Sequence, residues 1–171
     1  MDFEEAARRH QRRVFTFARY FLGNREEAED VTQEVLLRLW RNCDHLEEEM
    51  VEAWLLKVTR NACFDLLRRR RLPAQSASSL ELLTREPVSH EPSPADQVEG
   101  AALSRQLRQA LNELEEPYRS ALILREIQDL AYHEIAAILE IPLNTVRVHI
   151  HRGRRRLREQ FKEAFGDAPA H

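Results

Sequence analysis

The chain has 171 residues, 43% of them hydrophobic, and only 4 glycines, a composition that suits one helical domain or two small ones. Its net charge of −3 hides a segregation, with basic clusters at 57–71 and 143–158 and acids elsewhere, so a local basic surface can still bind nucleic acid. Cys43 and Cys63 form no CxxC pair or disulfide framework, the charged, amphipathic N-terminus is no signal peptide, and no apolar run could span a membrane.

Residues 2–21 predict a first helix with Phe3, Ala7, Val14, Phe17 and Phe21 as its apolar stripe, broken at Leu22-Gly23-Asn24. Asn24 can cap a second helix over residues 25–42, with Glu27 as its capping-box partner. Ala28, Val31, Val35 and Leu39 form the core side of that helix. Asp30, Gln33, Glu34, Leu37 and Arg41 share the other side. From the residues alone this acidic-polar face is either solvated or a docking surface.

A loop at 43–50 carries Glu47, Glu48 and Glu49, and a third helix follows over residues 50–71. Val51, Trp54, Leu55, Val58, Ala62 and Leu66 make its core stripe. Lys57, Arg60, Asn61, Phe64, Arg68 and Arg71 form the contiguous opposite face. Cations with an interleaved ring and an amide suit a single nucleic-acid strand: phosphates pair with Lys and Arg, and an unstacked base lies on Phe64. Both cysteines read as ordinary buried or half-buried thiols.

Residues 72–94 change character, with Pro73, Pro87, Pro92 and Pro94 among serines, and read as a linker with one helical turn at Ser79–Leu83. Ser93-Pro94 with Asp96 predicts a helix start, continuing through Leu103, Leu107 and Leu111 to Leu114. Pro117 opens the next helix, PYRSALILREIQ.

Residues 128–160 then give two helical patterns around a break at Glu140-Ile141-Pro142, the spacing of a helix-turn-helix. Ile135, Ala136, Ile138 and Leu139 form the apolar side of the first; Val146, Ile150, Gly153 and Leu157 share one face of the second. The outward residues of the second include Asn144, Thr145, Arg147, Val148, His151, Arg152, Arg155 and Arg158, a face that fits a DNA major groove. An arginine-rich amphipathic surface helix is the competing reading; turn spacing and charge segregation together favour DNA. His133, His149 and His151 have no cysteine or carboxylate to complete a metal cage, so neither metal nor cofactor is expected.

The run YHEIAAILEIPLNTVRVHIHRGRRRLRE resembles region 4.2 of the extracytoplasmic-function (ECF, group 4) sigma factors of bacterial RNA polymerase. AEDVTQEVLLRLW is similar to region 2.2, AWLLKVTRNACFDLLRRRR to regions 2.3 and 2.4, and LNELEEPYRSALILREIQDLAYHEIA to region 4.1 entering 4.2. The resemblance spans both halves in sigma order. It implies an all-α chain of two small helical domains, region 2 at 1–72 and region 4 at 95–165, joined by a flexible linker at 73–94 and followed by a tail at 166–171.

The resemblance also implies roles. Asp30, Gln33 and Glu34 match a D-x-x-Q-E pattern that grips the clamp coiled coil of the largest polymerase subunit, with Leu37 and Arg41 on the same face. Asn61 matches a recurrent Asn, and Asp65 and Arg68 a D-x-x-R, in the segment that opens and reads the −10 element. The helix carrying Arg147 would read the −35 element. The linker would thread the polymerase cleft, and the loop at 43–50, shorter and more acidic than the family's, supplies no assigned contact. Core RNA polymerase (clamp and flap), promoter DNA and an anti-sigma factor are the implied partners, in the cytoplasm at the nucleoid, with no catalytic chemistry.

Two positions depart from the family pattern. Ala131 stands where a capping Ser or Thr is usual, and Glu140 where a turn Gly is usual. A positive φ at Glu140 would be strained. The alternatives to a sigma factor are a two-domain helix-turn-helix regulator that binds duplex DNA without polymerase, which needs no single-strand face, and a nucleic-acid enzyme, for which no clustered carboxylate or histidine site exists.

Overall fold

The computed structural model describes residues 1–72 and 99–165; the linker at 73–94 with its expected turn, the Ser93-Pro94 cap and the tail at 166–171 lie outside the described residues. Every regular element among the described residues is helical. The helices are α1 (Phe3–Leu22), α2 (Arg25–Asn42), α3 (Val51–Arg71), α4 (Glu99–Glu113), α5 (Tyr118–Leu122), α6 (Tyr132–Leu139) and α7 (Leu143–Phe165).

Local chemistry sets the boundaries in the first half. Asp2 accepts from the Glu4 N–H at 3.1 Å to start α1. Gly23, at φ 72°, ends it, with its N–H on the Arg19 carbonyl at 3.1 Å. Asn24 caps α2 through the Glu27 N–H at 3.1 Å. The Glu27 carboxylate turns to Arg70 of α3, so only the Asn24 half of the expected capping box forms and the Glu27 side chain ties two helices instead. Val14, Phe17 and Phe21 of α1 pack with Val31, Val35 and Leu39 of α2 and Leu55 and Ala62 of α3. Trp54 is partly buried against this core, on the side its angular position predicted.

The second half is built around Leu111, Leu114, Leu122, Ile123, Leu124, Ile135, Val146 and Ile150. α5 runs into a π-helical turn at Ile123–Ile127, closed by the Gln128 N–H on the Ile123 carbonyl at 3.0 Å. That turn was not legible in the sequence, where one uninterrupted helix was expected. Gly153 lets α7 approach α5: a Cβ there would stand 3.1 Å from Leu122 Cγ.

The halves are packed on each other, and their buried residues form one cluster. α4 lies along α1, and α6 lies against α3. The α1 C-terminus leaves carbonyls without helical partners. Asn112 of α4 donates to the Phe21 carbonyl at 2.9 Å, and Arg119 donates to it at 3.3 Å while its guanidinium lies 4.9 Å from the Phe21 ring centroid. Gln128 donates to the Arg13 carbonyl at 3.0 Å. The sequence predicted two helical units but not this shared surface; Leu56, Thr59 and Cys63 of α3, all outside the expected stripe, are buried. Burial pushes the Cys63 thiol far above its ordinary pKa, so it stays protonated, while Cys43 is half-buried.

Candidate nucleic-acid and polymerase interfaces

On α2 the residues Asp30, Gln33, Glu34, Leu37 and Arg41 are all exposed and opposite the buried Ala28, Val31, Val35 and Leu39. Glu34 is paired with Arg38 one turn on. The sequence reading missed Trp40, which is 60% exposed beside Leu37 at 55%. Its position three residues after Leu37 was the available signal: that step keeps a residue on the same helix face. The face therefore combines acid, amide and a two-residue apolar patch.

The cationic face of α3 is divided. Asn61, Arg68 and Arg71 are exposed, whereas Lys57, Arg60 and Phe64 are only partly so. The Phe64 ring meets Phe21 edge-on at 5.3 Å, and the Arg60 guanidinium lies 4.7 Å from the Phe64 centroid. Arg60 Nε donates to Ser120 Oγ at 2.9 Å and its Nη2 lies 3.6 Å from Glu116 Oε2. Lys57 Nζ meets Glu140 Oε1 at 2.5 Å. Arg68 pairs with Asp65 at 3.3 Å, bringing together the two matching residues of the D-x-x-R pattern.

The helix-turn-helix is α6 and α7. Glu134 accepts from the Ala131 N–H at 2.7 Å, which is half of a capping box; the Ala131 methyl cannot return the bond. Glu140 closes α6 at φ 55° and ψ 43°, the left-handed conformation that its usual glycine would favour, with its N–H on the Ala136 carbonyl. Its carboxyl is held below the usual range by the hydrogen bond from Lys57 and by that ammonium's charge.

In α7, Val146 and Ile150 are buried and Gly153 faces α5. Asn144, Arg147, Val148, His151, Arg152, Arg155 and Arg158 are exposed together, and Thr145 is half-buried at the first turn. Val148 is an exposed apolar residue, at 42%, within this polar stripe. The six arginines of 143–158 separate by partner. Arg154 turns back to Glu126 at 2.5 Å, which raises its pKa, and Arg156 pairs with Glu115 over the Tyr118 ring. Among the described residues Arg155 meets Glu159 on its own helix, at 3.3 Å, and Arg147 lies 3.5 Å from Asn144 Oδ1. The outward stripe thus presents Arg147, Arg152, Arg155 and Arg158, not every arginine of the cluster.

Residues 6–72 match the family Sigma-70 region 2, and residues 104–157 match Sigma-70, region 4. The chain is similar to the ECF RNA polymerase sigma factor SigE of Mycolicibacterium smegmatis, at 36% identity over 92% of this chain and 61% of that protein, so it spans under two thirds of that relative. It is also similar to SigW of Bacillus subtilis, at 32% identity over 88% of this chain and 84% of SigW. Its structure is similar to the sigma factor RpoE of Bartonella quintana, solved in complex with the anti-sigma factor NepR, with a TM-score of 0.73, 25% identity, and coverage of 94% of this chain and 97% of that one. The chain belongs to the ECF RNA polymerase sigma factors of the sigma-70 family.

Proposed function

We propose that this chain binds core RNA polymerase, directs it to specific promoters and helps open them, with region 2 at 1–72, a linker at 73–94, region 4 at 95–165 and a tail at 166–171. The carrying observation is the α7 stripe: Arg147, Val148, His151 and Arg155 are exposed on one side, while Val146 and Ile150 are buried on the other. Such a helix enters a major groove from its N-terminal turns. Arg147 bonds a guanine edge, Val148 contacts a thymine methyl, and Arg152 and Arg155 pair with phosphates. On α3, Asn61 and Phe64 take unpaired bases, with Lys57, Arg60, Arg68 and Arg71 along the strand backbone.

Asp30, Gln33, Glu34, Leu37 and Arg41 dock the polymerase clamp, with Trp40 adding apolar area to the patch. Region 4 engages the flap. No step in this work is chemical, so the chain acts by binding alone, where the polymerase works, in the cytoplasm. An anti-sigma factor is proposed as a further partner, since the similar RpoE of Bartonella quintana was solved with one.

Polymerase binding separates this reading from a regulator that acts on duplex DNA alone. Purified chain should co-elute with core polymerase, and Gln33→Ala combined with Glu34→Arg should weaken that association while leaving helical content unchanged. Wild-type retention by the double variant would show that the docking face lies elsewhere. Failure of the unaltered chain to bind core at all would favour the duplex regulator.

A further inference from the structure

Two of the four cations on the α3 strand-binding face are already held by acids of region 4. Lys57 is held by Glu140 at 2.5 Å, and Arg60 reaches Glu116 at 3.6 Å and Ser120 at 2.9 Å. Both carboxylates come from region 4, and both cations belong to the set assigned to the strand backbone. A carboxylate and a phosphate oxygen compete for the same cation.

Glu140 sharpens the observation. It keeps a left-handed backbone at φ 55°, where glycine is the comfortable residue, and its side chain is the one that reaches Lys57 across the two halves. Glu116 is similarly placed: it accepts from the Ser120 N–H at 3.0 Å and from its hydroxyl, so it is aimed at Arg60 before the halves meet.

We propose that Glu116 and Glu140 latch the strand-binding face of α3 shut against region 4, so that the free chain is closed and opens when promoter phosphates or salt compete for Lys57 and Arg60. The proposal rests on the reading of α3 as a single-strand face. Exposed ion pairs are individually weak and screened by salt, as Lys57–Glu140 is; Arg60–Glu116 is more sheltered, its side chains 25% and 23% exposed. A latch made of two ion pairs is reversible, unlike an interface held only by buried apolar area. Asn112, Arg119 and Gln128 supply the salt-insensitive part of the contact through backbone carbonyls.

The apparent affinity of a face open only part of the time is reduced by that fraction. If the closed form outnumbers the open one by about ten to one, unlatching should tighten strand binding about tenfold. The test uses the full chain and a fluorescein-labelled oligothymidylate as the single-strand probe. Three proteins are compared with wild type: Glu116→Gln with Glu140→Gln, Glu140→Gln alone, and a charge-matched control, Glu113→Gln with Glu163→Gln, at exposed positions outside the contact. The single variant leaves the Glu116–Ser120 contacts intact, so it guards against a local folding defect.

The double variant should show a larger radius of gyration by small-angle X-ray scattering at low salt and tighter probe binding than the control. The single variant should move both readouts part of the way, and raised salt should expand wild type toward the double variant. A radius and affinity equal to the control's in both latch variants would overturn the proposal. Expansion without tighter probe binding would keep the latch and refute the single-strand role of α3.

Discussion

Arg147 and Arg155 carry the same charge on the same helix and should fail differently. Arg147 sits in the first turns of α7, where a major-groove helix lies deepest, and its loss should cost about 1–3 kcal/mol at one position of the −35 element. Arg155 lies two turns on, beside Glu159, where phosphate contact is expected. Arg155→Ala should weaken all sequences alike and reduce the salt slope by roughly one charge. Titrations against single-base variants of a selected site, at several salt concentrations, read both effects. A uniform loss for Arg147→Ala with altered base preference for Arg155→Ala would reverse the assignment. His149 supplies a residue-scale prediction about pH. Its Nδ1 is buried without a hydrogen-bond partner among the described residues, and its ring stands edge-on to Tyr118 at 6.0 Å. Burial, then the charge of Arg152, lowers its pKa from the ordinary 6.5 against the opposing pull of Glu116. His10 of α1 is lowered in the same direction, chiefly by burial. Both rings bind fewer protons folded than unfolded, so their contribution is complete above 6.5 and is lost as pH falls below it. The thermal midpoint should therefore drop between about pH 7.5 and about pH 5.5, and His149→Phe should reduce that drop. An identical drop in the variant would assign the titration elsewhere.

The elements respond to backbone and packing changes in ways their local geometry dictates. Gly153→Ala gains about 1 kcal/mol of helix propensity in α7. Against this, its Cβ would press on Leu122 at 3.1 Å and Tyr118 at 3.3 Å, and Leu122 is fully buried. Overpacking costs about 1–3 kcal/mol, so the net change should be destabilising, read as a lower denaturant midpoint with an unchanged slope. At the α6 turn, Glu140→Gly and Glu140→Gln both remove the Lys57 pair, but only glycine relieves the positive φ. The glycine variant should melt higher than the glutamine variant; equal midpoints would mean that the left-handed turn costs the chain nothing. Element by element, periodicity located the buried stripes of α2 and α7 and, in α1, Val14, Phe17 and Phe21 but not Ala6, His10 or Ala18. The turn was legible from the break at Glu140-Ile141-Pro142, and its positive φ only from the resemblance, which puts a glycine at Glu140. The burial of Leu56 and Thr59 was not legible, and Cys63 was read as a buried or half-buried thiol without a surface to bury it. A helix pattern reports one core, and α3 meets a second surface contributed by residues far along the chain. The π turn at Ile123–Ile127 was hidden for a related reason: every residue in it is compatible with an ordinary helix. Trp40 was assigned to neither face of α2, yet it is exposed.

At the scale of the whole molecule, two faces of opposite character coexist. One is an acidic-apolar patch on α2, and the other is a set of cations on α3 and α7 tuned by carboxylates of the same chain. The first remains open in the closed arrangement, while part of the second is covered. If those faces serve polymerase docking and strand binding as proposed, variants should separate the two steps. Asn61 suits such a test because it is exposed and outside the Glu116 and Glu140 contacts, unlike Phe64, whose ring also packs on Phe21. The decisive measurement is promoter-directed initiation by core polymerase supplied with this chain, with permanganate footprinting to detect unpaired thymines, on a duplex promoter and on the same promoter pre-melted at the −10 element. A defined start site that depends on the chain is expected, with an opening defect in Asn61→Ala on the duplex that is largely relieved on the pre-melted template. Transcription that starts no more selectively with the chain than without it would mean that the chain does not direct polymerase to promoters.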